Sequence, residues 1–462
     1  MVLSRATSTD SSKEDAVLEP VFANRYMQQP VKRHVFPEDE MPREVAYQIV
    51  SDMLEMDGKP RLNLASFVTT WMEPEAERLM TASLNKNAID LAEYPACARI
   101  QELCLNMLAR LFHAPVSEGQ TAVGTATIGS SEAIMLAGLA MKRRWLKHRK
   151  EKGLPTDNPN LVVGANTHVV VEKFANYFEV ELRMVPVTPD CPCLRVREAV
   201  QRCDDRTIGV VPILGSTYTG HFEDVQGLDE GLRALDLPHG WRVPIHVDAA
   251  SGGFIAPFLY PALAWDFRLP SVLSVSTSGH KYGLTYPGIA WLLFRNDQCL
   301  PQDLIYHIDY LGEDQPTYTL NFSRGLPACD AELCVGGGLA KGAAGGHGPY
   351  AHLSERELSD DLRRHGWILP SYQMPPDMHD VTVLRVCVRE DFSRELAEWL
   401  VRDIKETVGR IKAHADKARA RRGEREEEVR KEGKAEMGAE EKVGEEDGGK
   451  GELSMPKAKP LC

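Results

Sequence analysis

Ser274-Val-Ser-Thr-Ser-Gly-His-Lys281-Tyr-Gly decides how this chain is read. It opens as a β-favouring run and ends on a lysine bedded in small and hydroxyl side chains. Such a lysine suits a Schiff base with an aldehyde, because desolvation keeps its amine neutral often enough to attack. Upstream, the apolar run Val243-Pro-Ile-His-Val247 ends on Asp248, within His246-Val-Asp248-Ala-Ala-Ser-Gly-Gly. A carboxylate at the end of a buried strand can hold the proton on a pyridine nitrogen by charge pairing. Pyridoxal 5'-phosphate needs both groups.

That cofactor also needs donors for its phosphate, ideally at a helix N-terminus. Gly124-Thr-Ala-Thr-Ile-Gly129-Ser130-Ser131-Glu132 is the candidate. Ile134, Gly138, Met141 and Trp145 follow at helical spacing. A helix is therefore predicted to begin near Ser131, with Ser130 as N-cap and Glu132 in the first turn. Ser278 and His280, beside the lysine, add donors. Each feature alone has a bland counterpart: Gly-His-Lys is a common triplet, Ser-Ser is ordinarily a cap, and Asp-Ala-Ala is ordinarily a turn. Their order, each after an apolar strand, is far harder to dismiss.

The 462 residues suffice for two or three domains, and the apolar content of 43% is that of a globular protein. A net charge of −13 argues against broad nucleic-acid affinity. The ten cysteines lack metal spacing, with Cys191-Pro-Cys193 the only close pair, so no metal site is expected and reduced thiols fit an intracellular chain. The first residues have no apolar core and soon bring Asp10, Glu14 and Asp15, which speaks against a signal or transit peptide. No apolar run is long enough to span a bilayer. The expectation is a cytoplasmic protein with neither membrane nor nucleic-acid partner.

Along the chain, 1–60 reads as an N-terminal segment with a flexible lead and a helix over 42–54. From 61 to 325 helical and strand patterns alternate. Strands are predicted at Leu161-Val-Val-Gly, Thr207 to Leu214, Val243 to Val247, Val272-Leu-Ser-Val-Ser and Ile289 to Phe294. Alternation of this kind makes an α/β fold, a mixed and mostly parallel sheet with helices on both faces. Residues 326–352 are irregular and Gly-rich, and Lys341-Gly342 lacks the Ser or Thr of a Walker loop. Residues 353–410 recover structure as a truncated small domain, with a helix from Ser359, a strand over Val381 to Val388 and a helix over Phe392 to Arg410. Residues 411–462 form a charged tail, a helical extension fraying into disorder.

With these motifs in place, the chain resembles the glutamate decarboxylases of the pyridoxal-phosphate decarboxylase group. The likeness is carried by Leu62-Asn-Leu-Ala-Ser-Phe-Val-Thr-Thr-Trp71, Asn85-Lys-Asn-Ala-Ile-Asp90, Glu93-Tyr-Pro95, Thr217-Tyr-Thr-Gly220, Ser278-Gly-His-Lys281, Asp309-Tyr-Leu311 and Asn321-Phe-Ser-Arg324. It implies a fold-type-I large domain, a small α+β C-terminal domain and a homodimer or higher oligomer with shared active sites. It implies that Lys281 carries the cofactor and that Asp248 faces its ring nitrogen. Ser130, Ser131, His168, Thr217, Ala250, Ser278 and His280 are expected around the cofactor, and Ser323 at the neighbouring subunit's phosphate.

For L-glutamate as substrate, the resemblance places Ser66, Phe67, Asn87 and Asp90 at the distal carboxylate. Arg385 takes the α-carboxylate, in two-point contact. Tyr310 is the candidate acid that returns a proton to Cα, with Lys281 as fallback. The products are 4-aminobutanoate and carbon dioxide. Asp90 beside a carboxylate needs a shared proton, so activity is expected to rise in mild acid.

Two departures keep alternatives open. His168 stands where many of the family carry Gln, and related decarboxylases of other amino acids stack a histidine there. After Arg324 the family carries a long helix and the first strands of the small domain, whereas this chain has the short run Gly325 to Pro349. That replacement reads like a gene-model error. Taken as written, it leaves the small domain without core strands and Arg385 poorly positioned, as in an inactive relative.

Overall fold

A computed structural model of the chain describes residues 34–36, 40–87, 93–117, 119–307, 318–322 and 354–443, the last stretch only as backbone beyond residue 421. Asp90, Tyr310, Ser323 and the Gly-rich run 326–352 lie outside the described residues. The chain divides into two units, 1–60 and 61–462. In the first, Arg43–Glu55 forms helix α1, entered through Pro42, with Val45 buried. Proline suits that entry because its missing N–H has no helical partner to lose.

The second unit is built on a seven-stranded sheet. Its strands are β1 (Gly124–Thr127), β2 (Asn160–Gly164), β3 (Glu181–Val185), β4 (Thr207–Val211), β5 (Ile245–Asp248), β6 (Val272–Ser278) and β7 (Ala290–Phe294). Their spatial order is β1-β7-β6-β5-β4-β2-β3. β7 pairs antiparallel with both β6 and β1, and the remaining pairs are parallel. Every residue of β2, β4, β5 and β7 is buried, which is why these strands are continuous apolar runs in the sequence.

Of the two edge strands, β3 was not predicted and β1 was anticipated only as a strand before the Ser130-Ser131 helix, without bounds. β3 exposes Glu181 and Met184, and β1 alternates half-buried Gly124 and Ala126 with buried Thr125 and Thr127. A strand with one open side loses the apolar signature that marks a central one.

Helices α2 (Pro74–Ser83), α3 (Pro95–Leu111), α4 (Ser130–Glu151), α5 (Val169–Tyr177), α6 (Val196–Gln201), α7 (Val225–Arg233) and α8 (Ala256–Leu259) connect and cover the strands. Trp145, Phe112, Phe174, Trp265 and Trp291 anchor the main core. The pair β8 (Tyr306–His307) and β9 (Tyr318–Thr319) flanks residues outside the description.

The C-terminal part holds α9 (Glu355–Leu362), the antiparallel pair β10 (Ser371–Gln373) and β11 (Thr382–Leu384), and α10 (Arg394–Val443). Leu362, Trp367, Leu369, Leu396 and Leu400 close a core around Leu64, far upstream in the chain. The strand predicted over 381–388 is cut short at Leu384. Beyond it the backbone turns to segment 62–70, where Cys387 N–H donates to the Leu64 carbonyl at 2.9 Å. Leu64 N–H in turn donates to Ile368 O at 2.9 Å.

Candidate active site

β5 and β6 run parallel, with Asp248 opposite Ser276, so Asp248 and Ser278 leave the sheet at the same C-terminal edge. Open α/β sheets present their sites there. Asp248 is buried, and its Oδ1 accepts from Ala250 N–H at 3.1 Å. Ala250 O accepts from Ser278 N–H at 3.2 Å. The turn is compact because Gly253 has no side chain. A Cβ there would stand 2.3 Å from Thr277 Oγ1 and 2.9 Å from Ala249 O.

Lys281 follows the end of β6, with its Nζ 3.4 Å from Ser251 Oγ and 5.6 Å from the Phe67 ring centre. Burial lowers its pKa, the Asp248 charge opposes that shift, and Arg385 adds to it. The amine is thereby made easier to deprotonate, which a lysine that attacks an aldehyde requires.

His168 lies at the start of α5, where its Nδ1 accepts from Val170 N–H at 3.2 Å. Although His168 keeps solvent contact, surrounding atoms push its pKa down, with Asp248 opposing and Lys281 assisting. These influences favour its neutral form, and the ring lies within electrostatic reach of both groups. His280 Nδ1 is 2.9 Å from Ile289 O, and burial lowers its pKa as well.

Arg385 reaches this site. Its Nη1 donates to Thr217 O at 2.8 Å and its Nη2 to Ala65 O at 2.7 Å. The guanidinium carbon lies 4.5 Å from the Phe67 ring and 5.3 Å from the Tyr372 ring. Tyr372 is fixed in turn by its hydroxyl, which donates to Tyr218 O at 2.7 Å. The poor placement expected from the altered segment is thus corrected: bonds to segment 62–70 and to the Thr217 loop hold Arg385. Its Nε is buried and has no hydrogen-bond partner among the described residues.

One expectation at the phosphate end also needs correcting. Gly129 is the N-cap of α4, and Ser130 and Ser131 form its first turn. No side chain caps that helix, because glycine has none to offer, and its first N–H groups are left for another acceptor. Glu132 Oε2 accepts from Ile128 N–H at 2.9 Å, and its Oε1 from Phe322 N–H at 2.9 Å. Asn87 is exposed beyond the end of α2.

Four side chains escaped sequence reasoning. Ser251 stands nearest Lys281 Nζ, and its place in Asp-Ala-Ala-Ser was the available signal. Tyr372 and the buried Arg389 come from the distant C-terminal part and gave none. Glu223 is fully buried, and burial raises its pKa. Its carboxylate accepts from Asn166 Nδ2 at 2.9 Å, Leu194 N–H at 2.8 Å and Ile213 N–H at 2.7 Å. It ties the turn before His168 to the loop that carries Thr217.

Buried hydroxyls of Thr167, Thr219 and Ser278 have no partner among the described residues. Orphaned donors of this kind, an open helix N-terminus, a buried carboxylate and a desolvated lysine together fit a phosphorylated pyridine aldehyde. The sequence profile of the pyridoxal-dependent decarboxylase conserved domain matches residues 37–331.

The chain belongs to the pyridoxal-dependent decarboxylase family.

Within that family it is 50% identical to glutamate decarboxylase 1 of Arabidopsis thaliana over 445 aligned positions, covering 88% of each chain. Those positions outnumber 88% of a 462-residue chain, so the Arabidopsis protein carries residues with no counterpart here. Glutamate decarboxylase of Aliivibrio fischeri is 38% identical over 434 positions, covering 85% of this chain and 93% of that one. Among solved structures, Lactobacillus brevis glutamate decarboxylase superposes with a TM-score of 0.72 at 36% identity, over 83% of this chain and 97% of that one. The mostly parallel sheet with helices on both faces is thus the fold of this decarboxylase family.

Proposed function

We propose that this chain decarboxylates L-glutamate to 4-aminobutanoate and carbon dioxide, using pyridoxal 5'-phosphate. One observation carries the chemistry: a lysine made easier to deprotonate by burial, within electrostatic reach of a buried aspartate at adjacent strand ends. The substrate comes from the relatives, which are glutamate decarboxylases at up to half identity and cover most of the chain. When bound, the cofactor supplies an aldehyde for amines and an electron sink for the bond that breaks.

The chain's own residues do the rest. Lys281 Nζ would be the point that holds the cofactor's aldehyde carbon. Asp248 keeps a proton on the ring nitrogen, so that the site favours charge developing at Cα. Ser278, His280 and the first turn of α4 at Ser130 and Ser131 hold the phosphate, and Thr217, Ala250 and His168 border the ring. Arg385 holds the α-carboxylate, its guanidinium flanked by the Phe67 and Tyr372 rings. Ser66 and Phe67 receive the distal carboxylate, together with Asn87 and Asp90. Tyr310 returns the proton to Cα, and Ser323 serves a neighbouring subunit in a homo-oligomer. No helix among the described residues is long and apolar enough to cross a membrane; a cytoplasmic location is part of the proposal.

Carbon dioxide release from glutamate tests this directly. Wild-type protein is expected to show a visible absorption band with cofactor and to release carbon dioxide from glutamate ahead of other amino acids. Lys281→Ala should lose the band and, roughly, at least a thousandfold in rate. A bound band with no glutamate-dependent carbon dioxide, or a faster reaction on another amino acid, sinks the assignment.

A further inference from the structure

We infer that Arg389 is a positioning residue for the substrate loop, acting on the backbone around Ser66 and Phe67; this rests on the site being that of a glutamate decarboxylase. Arg389 is buried at 4% exposure. Its Nη1 donates to Asn63 O at 2.6 Å and to Ser66 O at 2.7 Å, and its Nε donates to Thr70 Oγ1 at 3.3 Å. The next two residues grip the same loop. Glu390 accepts from Thr69 Oγ1, and Asp391 accepts from Thr70 Oγ1 at 2.7 Å. Three consecutive side chains therefore clasp a segment lying more than 300 positions earlier.

The peptide plane turns that clasp into chemistry. In a trans peptide the C=O and the following N–H point in opposite directions. With Ser66 O held by the guanidinium, the Phe67 N–H is aimed away from Arg389. It donates to nothing among the described residues. Phe67 also presents its ring to Arg385 at 4.5 Å and to Lys281 Nζ at 5.6 Å. A single buried cation so orients a free amide donor and sets the ring between the two cations of the site. Lysine cannot repeat this, since its ammonium has no planar fork to bridge two carbonyls and a hydroxyl at once.

Arg389→Lys and Thr70→Val separate positioning from folding. The probe is glutarate, a dicarboxylate with no amine, measured as a competitive inhibitor beside KM for glutamate. Arg389→Lys is expected to keep the absorption band and most of kcat, while KM and the glutarate inhibition constant rise about tenfold. Thr70→Val, which leaves the cation in place, should raise both about threefold. Should Arg389→Lys lose the band and its cooperative melting, Thr70→Val decides alone. Constants within twofold of wild type in a folded variant overturn the proposal, and so does a fall in kcat with both constants unchanged. Failure of the decarboxylase assignment looks different, since wild-type protein then releases no carbon dioxide from glutamate. Amide hydrogen exchange over 63–70 still judges the clasp in that case: faster exchange in Arg389→Lys upholds it, and unchanged exchange refutes it.

Discussion

Lys281 and Asp248 show how little is needed at the residue scale when two groups oppose each other. Burial favours the neutral amine, the aspartate favours the ammonium, and Arg385 tips the balance back. Replacing Asp248 with Asn should leave the fold intact, yet cost on the order of a hundredfold in kcat, because the ring nitrogen loses the charge that keeps it protonated. Equal kcat in the two proteins would remove Asp248 from the chemistry. Glu223 makes the complementary case. Its carboxylate accepts three bonds from buried donors. Glu223→Gln puts an amide N–H against one of them, so chemical denaturation should show a loss of about 1–3 kcal/mol. A stability unchanged within error would mean that the pocket repacks. The pair 248 and 281 was legible because Asp248 ends an apolar run and Lys281 follows a β-favouring run of small and hydroxyl residues. Glu223 was not, because its partners sit 57, 29 and 10 positions away and none belongs to a shared motif.

At the scale of elements, β5 and β6 carry a buried polar pairing. His246 Nδ1 lies 2.8 Å from Ser274 Oγ and its Nε2 3.2 Å from Ser276 Oγ, and burial pushes its pKa down to about 3. The folded strand refuses a proton that the unfolded chain accepts near its ordinary value of 6.5. Stability from this source is therefore complete above 6.5 and drains away as the pH falls toward 3. Melting of wild-type protein between pH 7 and 5 should drop more steeply than that of His246→Gln. Parallel slopes would show that His246 takes no part. Central strands such as β2, β4 and β7 announced themselves by unbroken apolar runs. The edges β1 and β3 did not, because water covers one side and the pattern there reads as loop. The cap of α4 was misplaced by one residue, since Ser130 and Gly129 both suit an N-cap and only the backbone distinguishes them.

Over the whole molecule, the C-terminal part draws its core from Leu362, Trp367, Leu369, Leu396 and Leu400 around Leu64, all at or before position 400. Buried Asp403, which accepts from Trp367 Nε1 at 2.8 Å, and buried Thr407 extend that packing by two turns of α10. Ending the chain after Arg410 should therefore leave the midpoint of thermal unfolding within about 3 °C of the full chain, a shift under 1 kcal/mol. Ending it before Arg394 should abolish cooperative folding of this part. A large drop from the first truncation would assign the charged extension a structural role. For α10 the sequence led to an amphipathic helix over Phe392 to Arg410 with a charged helical extension after it, and the backbone is helical through Val443, where residues rich in Glu, Lys, Arg and Ala favour helix on their own.

The grip of residues 387–391 on residues 63–70 has a consequence for synthesis. A chain emerging from the ribosome can pair its central strands as soon as Phe294 is made, but its substrate loop meets its anchor only about a hundred residues later. The half-built protein can therefore assemble a sheet while residues 63–70 still lack the side chains that hold them.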